Sequence, residues 1–135
     1  MPKTNTQKYF YAVGRRKSAI TTIKLFLNKG ESLVNKITLK KYFPSDSEIV
    51  NINKPFVLTD TLDKFHFQAK IIGGGKIGQL ESLVLAISRA LVKYNETLKP
   101  VLRQNGFMTV DARVRQRRMI GTGGKARRAK QSPRR

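Results

Sequence analysis

Cysteine and tryptophan are absent from the 135 residues, and histidine occurs once. Without cysteine there is no disulfide framework and no thiolate metal site. Acidic residues are scarce: 8 Asp and Glu stand against 28 Lys and Arg, a formal charge of +20. No hydrophobic run is long enough to cross a bilayer. The opening MPKTNTQK has neither the apolar stretch of a secretion signal nor a long Arg- and Ser-rich leader, so a cytoplasmic protein is expected. The basic ends lack the apolar face of an interfacial helix, so no membrane partner is expected. The length suits one domain and is enough for a stable core.

The charge is unevenly spread. Residues 1–30 carry seven basic residues and no acid; residues 31–110 carry eleven basic and seven acidic; residues 111–135 carry ten basic and one acidic, Asp111. An ordinary middle with cationic ends points to a polyanion, and nucleic acid is the usual one.

Hydrophobic patterning predicts an α+β domain, a small sheet packed on one long helix. KYFYAV (residues 8–13) reads as a strand, and AITTIKLFL as another, with Ile23, Leu25 and Leu27 on one face. NKGES reads as a turn. ITLKKYF (residues 37–43) reads as a short helix stopped by Pro44. Ser45 and Glu48 have capping-box spacing for a further helical turn, and Pro55 reads as a break. FHFQAKII (residues 65–72) alternates, placing Phe65, Phe67, Ala69 and Ile71 on one side. Residues 77–94 give the main helix, with a stripe of Leu80, Leu83, Val84, Ile87, Leu91 and Tyr94. Residues 96–104 read as a second helix ended by Asn105-Gly106, and FMTVDARV as a last strand. The tail beyond about Arg115 has too little apolar surface to offset the entropy of ordering it, so it is expected to order only on a partner. The boundaries that follow are a globular domain at 1–112 and an extended basic tail at 113–135.

Three stretches carry candidate chemistry. GGGKIG, Gly73 to Gly78, fits G-x-G-x-x-G between a strand and a helix. The chain is too short for two mononucleotide-binding halves, and Ile77 stands where a P-loop needs Ser or Thr. The stretch therefore reads as a glycine-rich turn, or as a turn whose bare backbone lies on RNA phosphates; no cofactor is expected. GRRKS, Gly14 to Ser18, reads as a loop linking two strands. It is a solvated basic loop, a short basophilic kinase pattern or a phosphate clamp, and the clamp is favoured because guanidinium groups grip phosphate bidentately. In that reading Gly14 lets the backbone approach phosphate, and the neighbouring Tyr9, Phe10 and Tyr11 are core residues or bases' stacking partners. His66 reads as a surface or RNA-facing residue, and Asp60 and Asp63 as loop or cap residues. No catalytic constellation and no metal site is found.

Five blocks together resemble one known family. YAVGRRKSA (Tyr11 to Ala19), KKYF (Lys40 to Phe43), GGGKIGQLESLVLAISRAL (Gly73 to Leu91), NGFMTVDAR (Asn105 to Arg113) and KARR (Lys125 to Arg128) resemble, in order and spacing, the ninth protein of the small ribosomal subunit, a universal family, in its bacterial type. The resemblance implies a split β-α-β fold with a left-handed crossover, against the usual rule. It implies a structural constituent of the subunit head that binds the 3′ major domain of the small-subunit rRNA, beside neighbouring head proteins. No enzymatic activity and no homo-oligomer is implied. By this likeness rRNA is contacted by Arg15, Arg16, Lys17 and Ser18, by Gly73, Gly74, Gly75 and Lys76, and by Arg113, Arg115, Arg117, Arg118, Lys125, Arg127, Arg128 and Lys130. Arg134 and Arg135 would reach the anticodon stem-loop of the peptidyl-site tRNA. From Arg113 to Arg135 the chain spans at most roughly 75 Å, at ~3.3 Å per residue.

The tail departs from the bacterial pattern. It ends Ser132-Pro133-Arg134-Arg135 where Ser-Lys-Arg is usual, Gln116 stands where Glu is common, and Gly124 replaces a basic residue in a stretch one residue longer. Rival readings are a general RNA chaperone, which would bind without regard to RNA fold, and a nucleotide enzyme using the glycine turn.

Overall fold

The computed structural model describes residues 8–124, 127–129 and 132–133. Strands β1 (Tyr9–Arg16) and β2 (Ala19–Phe26) form an antiparallel hairpin whose turn is only Lys17 and Ser18. β1 thus runs three residues beyond the expected strand, and Arg15 and Arg16 are strand residues rather than loop residues. Lys17 adopts φ 53°, the left-handed conformation a two-residue hairpin turn requires. Leu27 falls outside β2 and is exposed, so the buried face of β2 is Ala19, Thr21, Ile23 and Leu25.

Short strands β3 (Leu33–Val34) and β4 (Ile37–Thr38) turn at Asn35 and Lys36, with φ of 50° and 67°. The Asn35 amide extends the ladder: its Nδ2 donates to the Ile71 carbonyl at 3.1 Å, and its Oδ1 accepts from the Ile71 N–H at 2.9 Å. Helix α1 (Leu39–Tyr42) is shorter than expected because Ile37 and Thr38 pair as strand. Helix α2 (Asp46–Leu58) starts at Ser45 as the spacing suggests, but the Ser45 hydroxyl pairs with Ser47 Oγ at 2.8 Å instead of capping. α2 also runs through Pro55. The missing N–H weakens that turn, but Ile52, Pro55 and Phe56 are buried, and tertiary packing outweighs local propensity. Thr59 Oγ1 donates to the Pro55 carbonyl at 2.9 Å, satisfying part of the helix end.

Strand β5 (His66–Ile72) buries Phe67, Ala69 and Ile71 as its alternation predicts, with Phe65 buried just before it. The five strands are ordered β1-β2-β5-β3-β4. Among the described residues only β3 and β5 pair in parallel, and α1 and α2 lie in the connection between them. Helix α3 (Lys76–Tyr94) crosses β1, β2 and β5, and α2 packs beside it; Phe56 of α2 stacks on Phe67 at 6.3 Å. The helices therefore cover one face of the sheet, and the core lies between.

On α3 the expected stripe is partly right. Leu83, Ile87 and Leu91 are fully buried, Leu80 and Val84 are half-buried, and Tyr94 is exposed at its end, edge-on to Phe10 and Phe65. A second buried row of small residues, Gly78, Ser82, Ala86 and Ala90, lies against the hairpin. Gly14 explains it: a Cβ there would sit 2.0 Å from the Ser82 carbonyl oxygen and 2.7 Å from the Ala86 nitrogen. Small residues on both sides let backbone approach backbone. Gly14 serves this packing and not phosphate approach, contrary to the expectation from sequence.

β1 is an edge strand, and α3 protects it. Arg89 Nη1 donates to the Val13 carbonyl at 2.7 Å, and Lys93 Nζ to the Tyr11 carbonyl at 2.5 Å. Occupied carbonyls and nearby cations discourage pairing with another chain.

After α3 a 3-10 turn (Glu96–Leu98) leads into α4 (Lys99–Gln104), and Gly106 at φ 77° ends it. Phe107 and Met108 pack against the core, but residues 107–114 form no strand. At the β1 edge the Val13 and Tyr11 carbonyls already accept from Arg89 and Lys93, so FMTVDARV finds no free carbonyl there. Residues 115–124 form no helix or strand.

Candidate nucleic-acid interface

The hairpin turn and the glycine turn, more than fifty residues apart in sequence, meet at one end of the molecule. Gly73 and Gly74 adopt φ of 72° and 70°. A Cβ on Gly73 would lie 2.7 Å from the Ser18 carbonyl oxygen, and one on Gly74 would lie 2.9 Å from the Ala19 nitrogen. The first two glycines are thus spent on seating the hairpin. Gly75, which begins α3, has open space around it. Gln79 locks the arrangement: its Nε2 donates to the Gly73 carbonyl at 3.1 Å, and its Oε1 accepts from the Tyr42 hydroxyl at 2.9 Å. The KKYF and GGGKIGQ blocks are therefore in direct contact. Lys17, Ser18, Gly73, Gly74, Gly75 and Lys76 are all exposed at this end, with Arg15 exposed near the end of strand β1.

Arg16 does something else. Its side chain is only 11% exposed. Nε contacts Glu81 Oε2 of α3 at 2.5 Å, Nη1 donates to the Arg113 carbonyl at 2.9 Å, and Nη2 lies 3.3 Å from Asp111 Oδ2. It fastens strand, helix and the start of the tail together, so its charge is used inside the protein rather than as a clamp. Arg113 in turn grips Asp111 bidentately, Nε to Oδ1 at 2.9 Å and Nη2 to Oδ2 at 2.6 Å, while its side chain stays 85% exposed. The Arg113 guanidinium, with the Arg113 backbone N–H and the nearby Arg16 charge, holds the Asp111 carboxyl well below the usual carboxylate range. The reciprocal bond from Asp111 raises the Arg113 guanidinium further above its already high value. Two of the few acids, Glu81 and Asp111, are thus neutralised beside this end. Sequence reading missed both, although a single acid within a run of ten cations was a visible signal.

Arg115, Arg117, Arg118, Arg127 and Arg128 are exposed along the tail. Lys125, Lys130, Arg134 and Arg135 lie outside the described residues. His66 is not a free surface residue: its Nδ1–H donates to the Asn28 carbonyl at 2.7 Å, and its ring stacks on Phe26 at 5.1 Å. Asp60 sits in a turn at φ 52°. Among the described residues no three His, Cys, Asp or Glu side chains cluster as metal ligands. The glycine turn does not open a dinucleotide crevice either, because among the described residues the sheet has one parallel pair and helices on one face only. No helix among the described residues is long and apolar enough to cross a membrane.

Comparison with known proteins places the chain in a family. The family model described as Ribosomal protein S9/S16 matches residues 14–135. The small ribosomal subunit protein uS9 of Rickettsia africae (strain ESF-5) is 42% identical over 112 residues, covering 83% of this chain and 70% of its own. That of Rickettsia rickettsii (strain Sheila Smith) is 41% identical over the same shares. This is a family of ribosomal structural proteins and not of enzymes. With a match that spans the hairpin turn, the glycine turn, α3 and the tail, the chain belongs to the Ribosomal protein S9/S16 family.

Proposed function

We propose that this protein is a structural constituent of the small ribosomal subunit that binds the 3′ major domain of its rRNA through the basic end built from the hairpin and glycine turns. The supporting observation is the junction itself: Ser18 and Ala19 seat on Gly73 and Gly74, which gathers Arg15, Lys17 and Lys76 beside the open Gly75. Exposed cations fix position on phosphates, and bare backbone at a helix start accepts one closely. Residues 113–135 act as the tail, carrying Arg113, Arg115, Arg117, Arg118, Lys125, Arg127, Arg128 and Lys130 along the rRNA. Arg134 and Arg135 contact the peptidyl-site tRNA, and neighbouring head proteins complete the setting on the ribosome.

The test is binding of the full chain to a 3′ major domain transcript, against a scrambled transcript of equal length, each across a salt series. Preferential binding to the native fold is expected. Replacing Arg15 and Lys17 with Ala should reduce the salt slope by about two, near one per phosphate contact. Equal binding to both transcripts would instead describe a charge-driven general binder, and an unchanged slope would remove the hairpin from the interface.

A further inference from the structure

The sheet face opposite the helices carries no packed element among the described residues. Pairing registers place its side chains in straight rows. One row runs Tyr11, Lys24, Gln68 and Leu33 across β1, β2, β5 and β3. The next holds Thr22 and Lys70 side by side. Together these side chains line a shallow depression that the β3–β4 turn borders with Lys36. None of the outward positions of β1, β2 or β5 is Asp or Glu.

We infer that this bare face is a second RNA surface, which takes unpaired nucleotides. The occupant follows from charge and shape. Lys24, Lys36 and Lys70 give the face positive charge with no acid to offset it, which suits phosphate. Tyr11 is 46% exposed, and a flat ring standing on a sheet is a platform on which a splayed base stacks. Gln68 and Thr22 place amide and hydroxyl groups beside that platform for base edges. The tyrosines already hold cations: Lys24 Nζ lies 5.0 Å from the Tyr9 ring centre, and Lys93 Nζ 6.0 Å from that of Tyr11. Aromatic ring and ammonium are thus presented together, as a nucleotide with its phosphate requires. A protein partner would more commonly meet an apolar patch poor in lysine. The inference rests on the rRNA reading above and adds a surface distinct from the basic end.

The experiment uses the full chain and the native 3′ major domain transcript. Three variants are compared with wild type: Lys24→Gln with Lys70→Gln, Tyr11→Leu, and Tyr11→Phe. Equal melting temperatures establish that each is folded. The lysine pair should weaken binding and lower the salt slope by about two. Tyr11→Leu should weaken binding roughly tenfold with the slope unchanged, since it removes stacking and no charge. Tyr11→Phe should bind like wild type. If all three bind as wild type, with the same slope, the inference is overturned while the basic end stands. If they bind RNA normally but fail to enter reconstituted subunits, the face holds a protein and the inference again falls. Failure of wild type to prefer the native transcript would overturn both readings.

Discussion

Asp111 sits where the fold gives way to the tail, between Arg16 and Arg113. Its carboxyl titrates lower in the folded chain than its ordinary value of 3.8. A depressed value means the contact stabilises the fold above pH about 4, and the contribution disappears as pH falls from there through the lower folded value. Asp111→Asn should therefore melt below wild type at pH 5 to 7, and the two curves should converge as pH drops toward 2. A gap independent of pH would show that the ion contacts contribute nothing. The size is modest, because Arg113 is largely solvated and exposed pairs are weak. At this scale much was hidden in the sequence. Arg15, Arg16 and Lys17 look alike as three adjacent cations, but strand alternation turns Arg16 inward to Glu81 while Arg15 stays outside. Gly14 looks like a phosphate-facing glycine and is in fact the place where β1 touches α3. Neither distinction exists until a helix from residues 76–94 lies across the hairpin.

The joint between β2 and α3 offers a test at the level of elements. Thr21 and Ser82 are both fully buried, and their hydroxyls lie 2.6 Å apart. Ser82 Oγ donates to the Gln79 carbonyl at 2.8 Å, which leaves Thr21 as donor to Ser82. The two halves of the pair are thus unequal. Ser82→Ala strands a buried Thr21 hydroxyl and should destabilise by about 1–3 kcal/mol. Thr21→Val leaves the Ser82 proton satisfied and should cost less. The double variant should be more stable than the sum of the singles requires, by at least about 0.5 kcal/mol. Urea unfolding of the four proteins measures this, and strict additivity would mean the pair is not coupled. Element existence was legible where periodicity was long: α3, β2 and β5 follow from their patterns. Elements that depend on tertiary support were not. Pro55 argued for a break, yet α2 continues because Phe56 meets Phe67. FMTVDARV argued for a strand, yet it joins neither edge of the sheet, and Phe107 and Met108 pack on the core instead.

Across the whole molecule, folding and charge are separated. Among the described residues the buried hydrophobic ones all lie between Ala12 and Leu102, whereas the densest run of cations begins at Arg113. Met119 and Ile120, the largest apolar side chains of the tail, are 75% and 96% exposed and add nothing to the core. Removing Gln131–Arg135 should leave the melting temperature within about a degree, because QSPRR holds no large apolar side chain to bury. The truncated protein should keep its rRNA affinity nearly intact and bind tRNA more weakly in the peptidyl site of reconstituted subunits, as read by filter binding. A large drop in melting temperature would show that the terminal residues support the fold.

Composition alone decided that this chain seeks a polyanion, because +20 on 135 residues has no other common counterion of that size. Local pattern decided the long helix and the strands beneath it, because hydrophobic period is a property of the chain and survives any arrangement of its neighbours. Tertiary structure decided which cations remain outside. Only when Gly73 and Gly74 receive Ser18 and Ala19 do two remote basic stretches form one surface, and only then does Arg16 turn in to Glu81 and Asp111. Packing one face of the sheet under α2 and α3 also left Tyr11, Lys24 and Lys70 on the other. These are relations between distant residues, set by close packing and strand register, and no local stretch of sequence contains them.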